Sequence, residues 1–473
     1  MIKSSEVQEI VAFINAFHLV DTGESSDYCL EMLTKDINED FLKERAIEIR
    51  DEYLKNDEVK EALKKLAHIC NSRAKQCTNC PVNKYCNYYI ADVRTKLNNN
   101  SLKIVDLFCG AGGLSLGFKQ EGFITALAND IEECCVDTYA HNHPETPRDH
   151  IILGDINNVV CEIESFLKNK QIDIVVGGPP CQGFSNANRQ RLIDDPRNQL
   201  YKNFVQVVEK VQPYFFVMEN VKGMFSVANQ VMDDFKHIGY DVKARVLNAK
   251  DFGVPQNRER LIYIGNRIDV DNDKIFKEIC EYGKSIPNMF LKDALYGLRE
   301  LQASRIKNST TLDTEESGCR IESIRELGQN EYLKLINQNK VYPVICNHKA
   351  RYNNDRDIEI FSRMNPGDKS DDPKIADIMP YTSRNDIFKD KYFKLEPNKV
   401  CKTITAHMKF DCNMYIHPSQ ARGLTPREAA RVQSYPDDYF FRGAYTKTYM
   451  QIGNSVPPLL GRAIAKNIKK YLR

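Results

Sequence analysis

Hydrophobic and polar positions divide the chain into stretches of different periodicity. In residues 41–69 apolar residues recur every three or four positions without Gly or Pro, and residues 1–69 as a whole are predicted to form amphipathic helices. From residue 103 onward, short β-rich runs alternate with helix-compatible stretches. The runs are KIVDLF (103–108), FITALAND (123–130), HIILGDI (150–156), DIVVGGPP (173–180), YFFVMENV (214–221), YDVKARVL (240–247) and RLIYIG (260–265). Buried parallel strands have this composition, so a doubly wound α/β sheet is predicted here.

The alternation stops after residue 266. Residues 267–400 are irregular, rich in Asn, Ser and Tyr, and long enough for a separate lobe. From about 401 the pattern returns: ARGLTPREAARVQSYP predicts an entry turn and a helix, and SVPPLLGRAIAKNIKKYL predicts a final helix started by prolines. The predicted organisation is a helical N-terminal module, a sheet domain, a second domain and a return to the sheet domain, with the bounds 1–100, 101–266, 267–400 and 401–473.

Composition narrows the function classes. The 473 residues are 42% hydrophobic, which excludes wholesale disorder. Lys+Arg (66) and Asp+Glu (65) nearly cancel, so no global positive field marks a polyanionic partner, although a local basic groove can exist within a neutral sum. No apolar stretch approaches the roughly 18 residues of a membrane span. The N-terminus has no signal-peptide core, so we expect a cytoplasmic chain without a membrane partner, associated with the nucleoid when bound to DNA.

A glycine-rich turn follows the first predicted strand, in DLFCGAGGLSLGF (106–118). Gly110, Gly112 and Gly113 would let backbone N–H groups approach a ligand at a helix N-terminus, although the same pattern also occurs in packing turns. The second strand ends at Asp130 and the third at Asp155. A carboxylate after the second strand can hold ribose hydroxyls, and one after the third can meet an adenine edge. The turn and the two aspartates together indicate an adenosine-containing cofactor.

The fourth strand ends in GGPPCQGFS (177–185), where two glycines and two prolines stiffen the backbone before Cys181. In an open α/β sheet, a cysteine at this edge lies on the ligand side. The alternative is a buried, inert thiol. The polar loop that follows favours a nucleophile under a lid, and a nucleophilic thiolate needs positive charge or hydrogen-bond donors nearby.

Two further motifs carry candidate acid and base chemistry. Glu219 ends the apolar strand YFFVM, where it can act as a proton donor or can simply cap a helix. In QNRER (256–260), Arg258 and Arg260 alternate with other residues, so both are predicted to face one side of a strand and to reach one polar ligand.

These motifs occur in one order: DLFCGAGGLSLGF, GGPPCQGFS, ENV, QNRER, LTPREAARVQSYPDDY and QIGNSVPP. The set resembles the C5-cytosine DNA methyltransferase family over roughly residues 102–266 and 401–473. The resemblance implies an α/β S-adenosylmethionine-dependent methyltransferase fold with a seven-stranded mixed, Rossmann-like sheet and a smaller target-recognition domain at 267–400. It also implies a monomeric DNA (cytosine-5)-methyltransferase that acts on double-stranded DNA. Whether a cognate restriction endonuclease is a partner stays open at this point.

The resemblance also implies a set of S-adenosylmethionine contacts. Phe108 would lie against the adenine, Asp130 would hold the ribose and Asp155 would accept from the adenine amine. The complete implied set is Asp106, Phe108, Gly110, Gly112, Gly113, Leu114, Asp130, Ile131, Asp155, Ile156, Pro180, Asn454, Ser455 and Val456.

The implied catalytic residues are Cys181, Glu219, Arg258 and Arg260. By resemblance, Cys181 attacks C6 of a cytosine flipped out of the duplex, and Glu219 protonates N3. The two arginines would hold the ring oxygen and the catalytic loop, and the loop 182–200 would close over the base.

Four cysteines in the N-terminal module, Cys70, Cys77, Cys80 and Cys86, have the spacing C-x6-C-x2-C-x5-C. Thiolates at this spacing can surround zinc or a [4Fe–4S] cluster. The spacing is similar to the cluster loop of the endonuclease III and adenine-glycosylase family, so a [4Fe–4S] cluster is predicted, with zinc and unliganded thiols as the alternatives. Because the loop carries basic residues, we expect it to contact DNA.

Two other functions remain open from the sequence. One is the related enzyme type that methylates transfer RNA with the same fold; the long 267–400 segment favours DNA over this alternative. The other is a non-catalytic DNA- or cofactor-binding relative. The presence of Cys181, Glu219, Arg258 and Arg260 argues against it, because a binding protein need not keep this set.

Overall fold

The predicted mixed sheet is present in the computed structural model, which describes residues 101–167, 170–180, 200–307, 314–323, 329–340, 344–380 and 391–472. Its strands are β1 (Lys103–Leu107), β2 (Ile124–Asp130), β3 (Ile151–Leu153), β4 (Ile174–Gly177), β5 (Phe215–Val221), β6 (Asp241–Asn248) and β7 (Glu259–Asn266). They are arranged in the order β3-β2-β1-β4-β5-β7-β6, with β7 antiparallel to both of its neighbours. All seven predicted runs therefore form strands, and the predicted fold class is confirmed.

Helices cover both faces of the sheet. The helices of the described residues are α1 (Gly113–Gln120), α2 (Glu133–Asn142), α3 (Ile156–Leu167), α4 (Leu200–Val211), α5 (Ala228–His237), α6 (Asn272–Lys284), α7 (Leu291–Leu295), α8 (Glu331–Ile336), α9 (Asp355–Arg363), α10 (Pro426–Val432), α11 (Tyr445–Asn454) and α12 (Pro458–Ile468). On one face, α3, α4 and α5 bury Ile163, Phe204 and Phe235. On the other face, α1, α6 and α12 pack against the alternate residues of the strands, whose side chains point to that face because successive side chains of a strand point to opposite sides of the sheet.

Helix α6 lies in the segment 267–400 that the sequence places in a target-recognition domain. Its residues Ile275, Phe276 and Ile279 pack in the same apolar layer as Leu460 and Ile464 of α12. This part of the segment therefore packs with the sheet. The reason is the three- and four-residue spacing of its apolar side chains, which gives the helix one face to bury.

The second lobe contains the antiparallel pair β8 (Gly318–Ser323) and β9 (Val344–Lys349). A separate apolar cluster joins this lobe to the return segment; it includes Met289, Leu291, Tyr332, Leu424 and Ala430. The two lobes are thus connected through a continuous buried interface.

The two helices predicted in the return segment are confirmed. Helix α10 begins after Thr425, whose side chain accepts from the N–H of Glu428, while the Glu428 carboxylate accepts from the Thr425 N–H. This reciprocal capping satisfies two donors that a helix N-terminus leaves unpaired. Helix α12 begins with Pro458 at its first position, where a missing N–H costs nothing.

Several predictions fall on residues that the structure does not describe. They are the N-terminal helices of 1–69, the four cysteines at 70–86, and Cys181 with its loop to residue 199. Within the described ranges, no three His, Cys, Asp or Glu side chains are grouped to hold a metal ion. The same ranges contain no helix with the length and apolar character that a membrane crossing requires.

Candidate active site

The glycine turn between β1 and α1 adopts left-handed backbone conformations. Phe108 has φ 54°, Gly110 has φ 53° and Gly112 has φ 79°. The last of these is the N-cap of α1. A Cβ on Gly110 would have no neighbouring atom within 4 Å, so there is space for a side chain at this position. Glycine is favoured here because of the left-handed backbone conformation. The turn therefore exposes backbone at the N-terminal end of a helix, as a ligand-binding turn requires.

Gly113 has a different function, because it packs directly against the return segment. A Cβ on Gly113 would lie 2.2 Å from the Val456 carbonyl oxygen, 2.3 Å from Ser455 Oγ and 2.6 Å from the Tyr435 hydroxyl. The structure therefore brings together Gly113, Ser455 and Val456, as the sequence predicts. Asn454 is exposed at the end of α11. The turn thus combines an open backbone position at Gly110 with a closely packed one at Gly113.

Asp130 anchors the glycine turn to the end of β2. One of its oxygens, Oδ2, accepts from the Gly110 N–H at 2.8 Å, and Oδ1 accepts from the Glu132 N–H at 2.9 Å. Burial raises the pKa of this carboxyl above its ordinary value. The next residue, Ile131, is 69% exposed, which is unusual for a large apolar side chain at a strand end. An apolar surface thus lies open beside the carboxylate.

Asp155 is exposed at the start of α3, and its Oδ1 accepts from both the backbone and the side-chain N–H groups of Asn157, each at 2.8 Å. Ile156 is 4% exposed and packs with Val159 and Ile163 in the apolar layer. Its side chain therefore faces the core, so that a contact of Ile156 with the cofactor would be made by its backbone, and the predicted contact stays a prediction.

The side chain of Leu114 is also turned away from the glycine turn, and its predicted contact with the cofactor stays a prediction for the backbone. Leu114 is buried with Phe118 and Leu460 on the face of α1 that packs against α12. The three- and four-residue period of α1 explains this: Leu114 and Phe118 lie on one side of the helix, and that side is covered.

Asp106, at the C-terminal end of β1, is the least compensated acid of this region. It is 1% exposed, and its Oδ2 has no hydrogen-bond partner among the described residues. The pKa of Asp106 is raised to about 7, mainly by burial and also by the neighbouring charge of Asp130, while hydrogen bonds from Ser115 and Tyr139 oppose the shift. A buried carboxyl with an unpaired oxygen below the glycine turn favours a cationic ligand nearby.

Sequence reasoning assigned no role to the tyrosines that surround the turn. The Tyr439 hydroxyl donates to the Ala111 carbonyl, and the Tyr435 hydroxyl is hydrogen-bonded to Ser455 Oγ. Both tyrosines belong to the motif SYPDDY, and membership in that motif is the one sign in the sequence that they have a role. The motif does not reveal that the two side chains contact a glycine turn more than 300 residues earlier in the chain.

The second part of the site lies where β4 and β5 end side by side. Glu219 of β5 forms an ion pair with Arg260 of β7, with 2.7 Å between Glu219 Oε1 and Arg260 Nε. Oε2 of the same carboxylate would lie 2.9 Å from a Cβ on Gly178. The Asn220 amide donates to the Pro179 carbonyl at 3.0 Å. Glu219 is therefore held between an arginine and the turn that leads to Cys181, and it does not cap a helix.

Pro180, the last described residue of that turn, is exposed. Strand β4 pairs with both β1 and β5, so the Gly178–Pro180 turn and the glycine turn emerge from adjacent parallel strands at the same edge of the sheet. The ligand site of an open α/β sheet is at this edge.

The predicted pairing of Arg258 and Arg260 on one ligand is wrong. Arg258 is fully buried, just before β7, and donates to the carbonyls of Ile404 (2.7 Å), Gly453 (3.0 Å) and Ser455 (2.8 Å). Its guanidinium is thus used within the protein, while Arg260 contacts Glu219. The lead-in to β7 pairs with residue 401 and brings Arg258 under the return segment.

Comparisons with known proteins agree with this geometry. The family model described as C-5 cytosine-specific DNA methylase matches residues 102–470. The type II methyltransferase M1.HphI of Haemophilus parahaemolyticus is 35% identical over 384 residues, covering 78% of this chain and 87% of that protein. M.DdeI of Desulfomicrobium norvegicum is 32% identical over 394 residues, covering 78% and 89%.

One solved structure has a similar fold over the same portion of the chain. It is a prophage-encoded protein (E. coli) assigned as a DNA modification methyltransferase, with a TM-score of 0.60 and 28% identity, covering 78% of this chain and 99% of that chain. The sheet, the glycine turn and the Glu219–Arg260 pair thus occur in a chain that belongs to the C-5 cytosine-specific DNA methylase family and is a DNA (cytosine-5)-methyltransferase.

Proposed function

We propose that this chain methylates C5 of a cytosine in double-stranded DNA, with Cys181 as the nucleophile and Glu219 as the acid at N3. The observation that carries the proposal is the Glu219 carboxylate, held at 2.7 Å by Arg260 beside the turn that ends at Pro180. Cys181 is the next residue in the chain. The positions of Cys181 and its loop lie outside the described residues, so the proposal for the thiol rests on sequence.

The chemistry follows from the electron demand of the pyrimidine ring. The Cys181 thiolate adds to C6 and forms an S–C6 bond, while Glu219 gives a proton to N3. The resulting enamine makes C5 nucleophilic enough to accept a methyl group. S-adenosylmethionine supplies that methyl group when it is bound. Loss of the C5 proton to a base, cleavage of the S–C6 bond and return of the N3 proton to Glu219 then restore the ring, the thiolate and the acid.

Arg260 has a supporting role in this step. Because it is ion-paired with Glu219, it fixes the orientation of the carboxyl and balances its charge when the proton has been given up. The Asn220–Pro179 hydrogen bond keeps the β4 turn against β5, so that the acid and the nucleophile-bearing turn have one relative position.

The residues of the glycine turn fit S-adenosylmethionine. Asp130 and the apolar surface of Ile131 would hold the ribose and the adenine, with Phe108 on the other side of the base. Gly110 and Gly112 would bring backbone N–H groups close to the methionine portion. The carboxyl of Asp106 would favour the positive charge of the cofactor through the turn. Asp155, Pro180 and Asn454 are exposed and would be open to the cofactor, and Ser455 and Val456 would close the pocket against Gly113.

Extrusion of the cytosine from the duplex is required, because C6 cannot be attacked within the base stack. We propose that the second lobe, within 267–400, reads the surrounding sequence in the major groove. The part of that segment formed by α6 is excluded from this role, since it packs on the sheet.

The decisive experiment compares Cys181→Ser with the wild type in transfer of a labelled methyl group to duplex DNA. We expect loss of methylation with near-normal binding of S-adenosylhomocysteine. DNA that contains 5-fluorocytosine should trap the wild type covalently, because fluorine cannot leave as a proton does, and should not trap the variant. Substantial turnover by Cys181→Ser would remove the thiol from this role. Methylation of transfer RNA in preference to DNA would instead favour the RNA enzyme type.

We also propose that Cys70, Cys77, Cys80 and Cys86 hold a [4Fe–4S] cluster, with zinc as the alternative. The support is their spacing alone, since these residues lie outside the described ranges. Protein purified without oxygen should be brown, with broad visible absorption, and should contain about four iron atoms per chain. A colourless preparation with one zinc per chain would replace the cluster by zinc.

A cognate restriction endonuclease is proposed as a functional partner, because the relatives M1.HphI and M.DdeI are named type II methyltransferases. Bisulfite sequencing of DNA from cells that express the protein would identify the methylated sequence. An endonuclease that cuts the unmethylated sequence and spares the methylated one would establish the pairing, and its absence from the source cell would contradict it.

A further inference from the structure

A buried polar cluster joins three distant parts of the chain beneath the active site. It is formed by Gln256, Arg258 and Gln433, each 0% exposed. The cluster lies between the lead-in to β7, the connection 401–405 that follows the proposed recognition domain, and the end of α11 at 452–455. No such cluster is expected from any of the three sequences separately.

Both peptide groups of Ile404 are held by this cluster. Its N–H donates to Gln256 Oε1 at 2.7 Å, and its carbonyl accepts from Arg258 at 2.7 Å. Ile404 itself is fully buried. Both hydrogen bonds are short and buried, and the one from Arg258 involves a charged group. A movement of the connection 401–405 must therefore either carry Arg258 with it or leave its buried charge without this acceptor.

The other side of the same guanidinium holds the wall of the cofactor pocket. Arg258 donates to the carbonyls of Gly453 and Ser455, and Gln433 donates to the carbonyl of Ile452 at 2.7 Å. A Cβ on Gly453 would lie 2.2 Å from the N atom of Ala406, so the end of α11 and the connection are in backbone contact. The following residues, Ser455 and Val456, contact Gly113 of the glycine turn.

We propose that Arg258 is a positioning residue that couples DNA binding to cofactor binding, by joining the connection 401–405 to the 453–456 wall of the cofactor pocket. The inference rests on the proposed function of both sites. Arg258 does not touch either ligand; a shift of the recognition lobe on DNA reaches the connection, and the shared guanidinium transmits it to the pocket wall. By reciprocity, a bound cofactor then favours the DNA-bound arrangement by the same factor.

The test measures the dissociation constant of S-adenosylhomocysteine by calorimetry, with and without a duplex that carries the site mapped by bisulfite sequencing. For the full-length wild type we expect DNA to tighten binding by about tenfold, within the usual range of such coupling. In Arg258→Lys the amine cannot reach all three carbonyls, and the ratio should fall to near one. A merely structural role would weaken both dissociation constants and leave their ratio unchanged.

Two further variants keep the test decisive. Gln256→Leu removes the bond to the Ile404 N–H but keeps Arg258, and it should reduce the ratio even if Arg258→Lys does not fold. Thr403→Val is the matched control: its hydroxyl donates to the Asn257 carbonyl at 2.6 Å, within the same connection but away from 453–456, and its ratio should equal that of the wild type.

The outcomes separate the two proposals. The inference would be overturned if Arg258→Lys and Gln256→Leu both kept the wild-type ratio of dissociation constants without and with DNA. It would also be overturned if DNA had no effect on the cofactor affinity of the wild type. A wild type that binds no S-adenosylhomocysteine at all would overturn the proposed function instead.

Discussion

Arg260 and Glu219 form an ion pair across two antiparallel strands, with 2.7 Å between Arg260 Nε and Glu219 Oε1. In the β5–β7 register, Arg260 lies opposite Val221, so it reaches Glu219 along the diagonal of the ladder. The side chains are 14% and 11% exposed, which limits screening of the pair by water. The proposed catalytic acid is thus oriented by a residue of the neighbouring strand in the sheet.

The first prediction concerns this pair. Arg260→Leu should lower the single-turnover rate of methyl transfer by about 10²–10³-fold, a range typical of lost acid catalysis, because the Glu219 carboxyl loses its orientation and its charge partner. Lys222→Met is the control: Lys222 forms an exposed pair with Glu259 nearby, and its loss should leave the rate within about twofold. A near-normal rate in Arg260→Leu would contradict the role of the pair.

The second prediction concerns the contact between the glycine turn and the return segment. Gly113→Ala places a methyl group 2.2 Å from the Val456 carbonyl and 2.3 Å from Ser455 Oγ, so the pocket wall must move. We expect a loss of stability of about 1–3 kcal/mol in urea unfolding and at least tenfold weaker binding of S-adenosylhomocysteine. Gly239→Ala is the control. The added methyl group would meet no neighbouring atom, and the substitution is unfavourable only because of the φ of +89° at this position, so cofactor binding should be unaffected. Equal cofactor affinities in the two variants would show that the contact is unimportant.

The third prediction is a pH dependence from Asp106. Burial raises the pKa of this carboxyl from 3.8 to about 7 in the folded chain, so the folded state binds the proton more tightly than the unfolded state does. The associated stability is fully present below about pH 4 and is lost as the pH rises through 7. Asp106→Asn cannot ionise, so between pH 4 and 8 the wild type should lose roughly 4 kcal/mol relative to the variant. Urea unfolding of both proteins without cofactor, at pH 4 and 8, gives the difference; a pH-independent difference would refute the shift.

The fourth prediction concerns a buried ion pair within the return segment. Glu428 forms a buried two-point ion pair with Arg422, at 2.6 and 2.8 Å. Glu428→Gln leaves the buried arginine uncompensated, and we expect a loss of about 3–5 kcal/mol of unfolding free energy. Glu331→Gln breaks an exposed pair with Lys334 and should cost less than about 1 kcal/mol. Similar losses in the two variants, measured by urea unfolding, would refute the difference in burial as the cause.

Much of the fold could be predicted because its signals are local. Most strands of the sheet are short apolar runs, and β6 alternates polar with apolar residues. Helix α10 follows its N-cap Thr425 and α12 begins at Pro458, and the capping chemistry of both depends on the next few residues. The glycine turn and Asp130 could be predicted in the same way, since both follow a strand directly.

Side-chain direction at the ends of elements was harder to predict. Leu114 and Ile156 directly follow Gly113 and Asp155, yet their side chains are buried, because the first turns of α1 and α3 are already covered by other elements. Arg258 and Arg260 differ for a related reason. Only Arg260 lies within β7, and the lead-in residue Arg258 is turned into the interior by its pairing near Cys401.

The sequence by itself determined the strands, the glycine turn, the order of the motifs and hence the chemistry, because each depends on neighbouring residues or on motif spacing. Only the tertiary structure decided that Gly113 contacts Val456, that Tyr439 closes on Ala111 and that Arg258 serves three carbonyls. These contacts join segments up to 343 positions apart. A buried donor must form a hydrogen bond, and its acceptor is determined by which segments pack beside it. The local periodicity of the sequence contains no information about that acceptor.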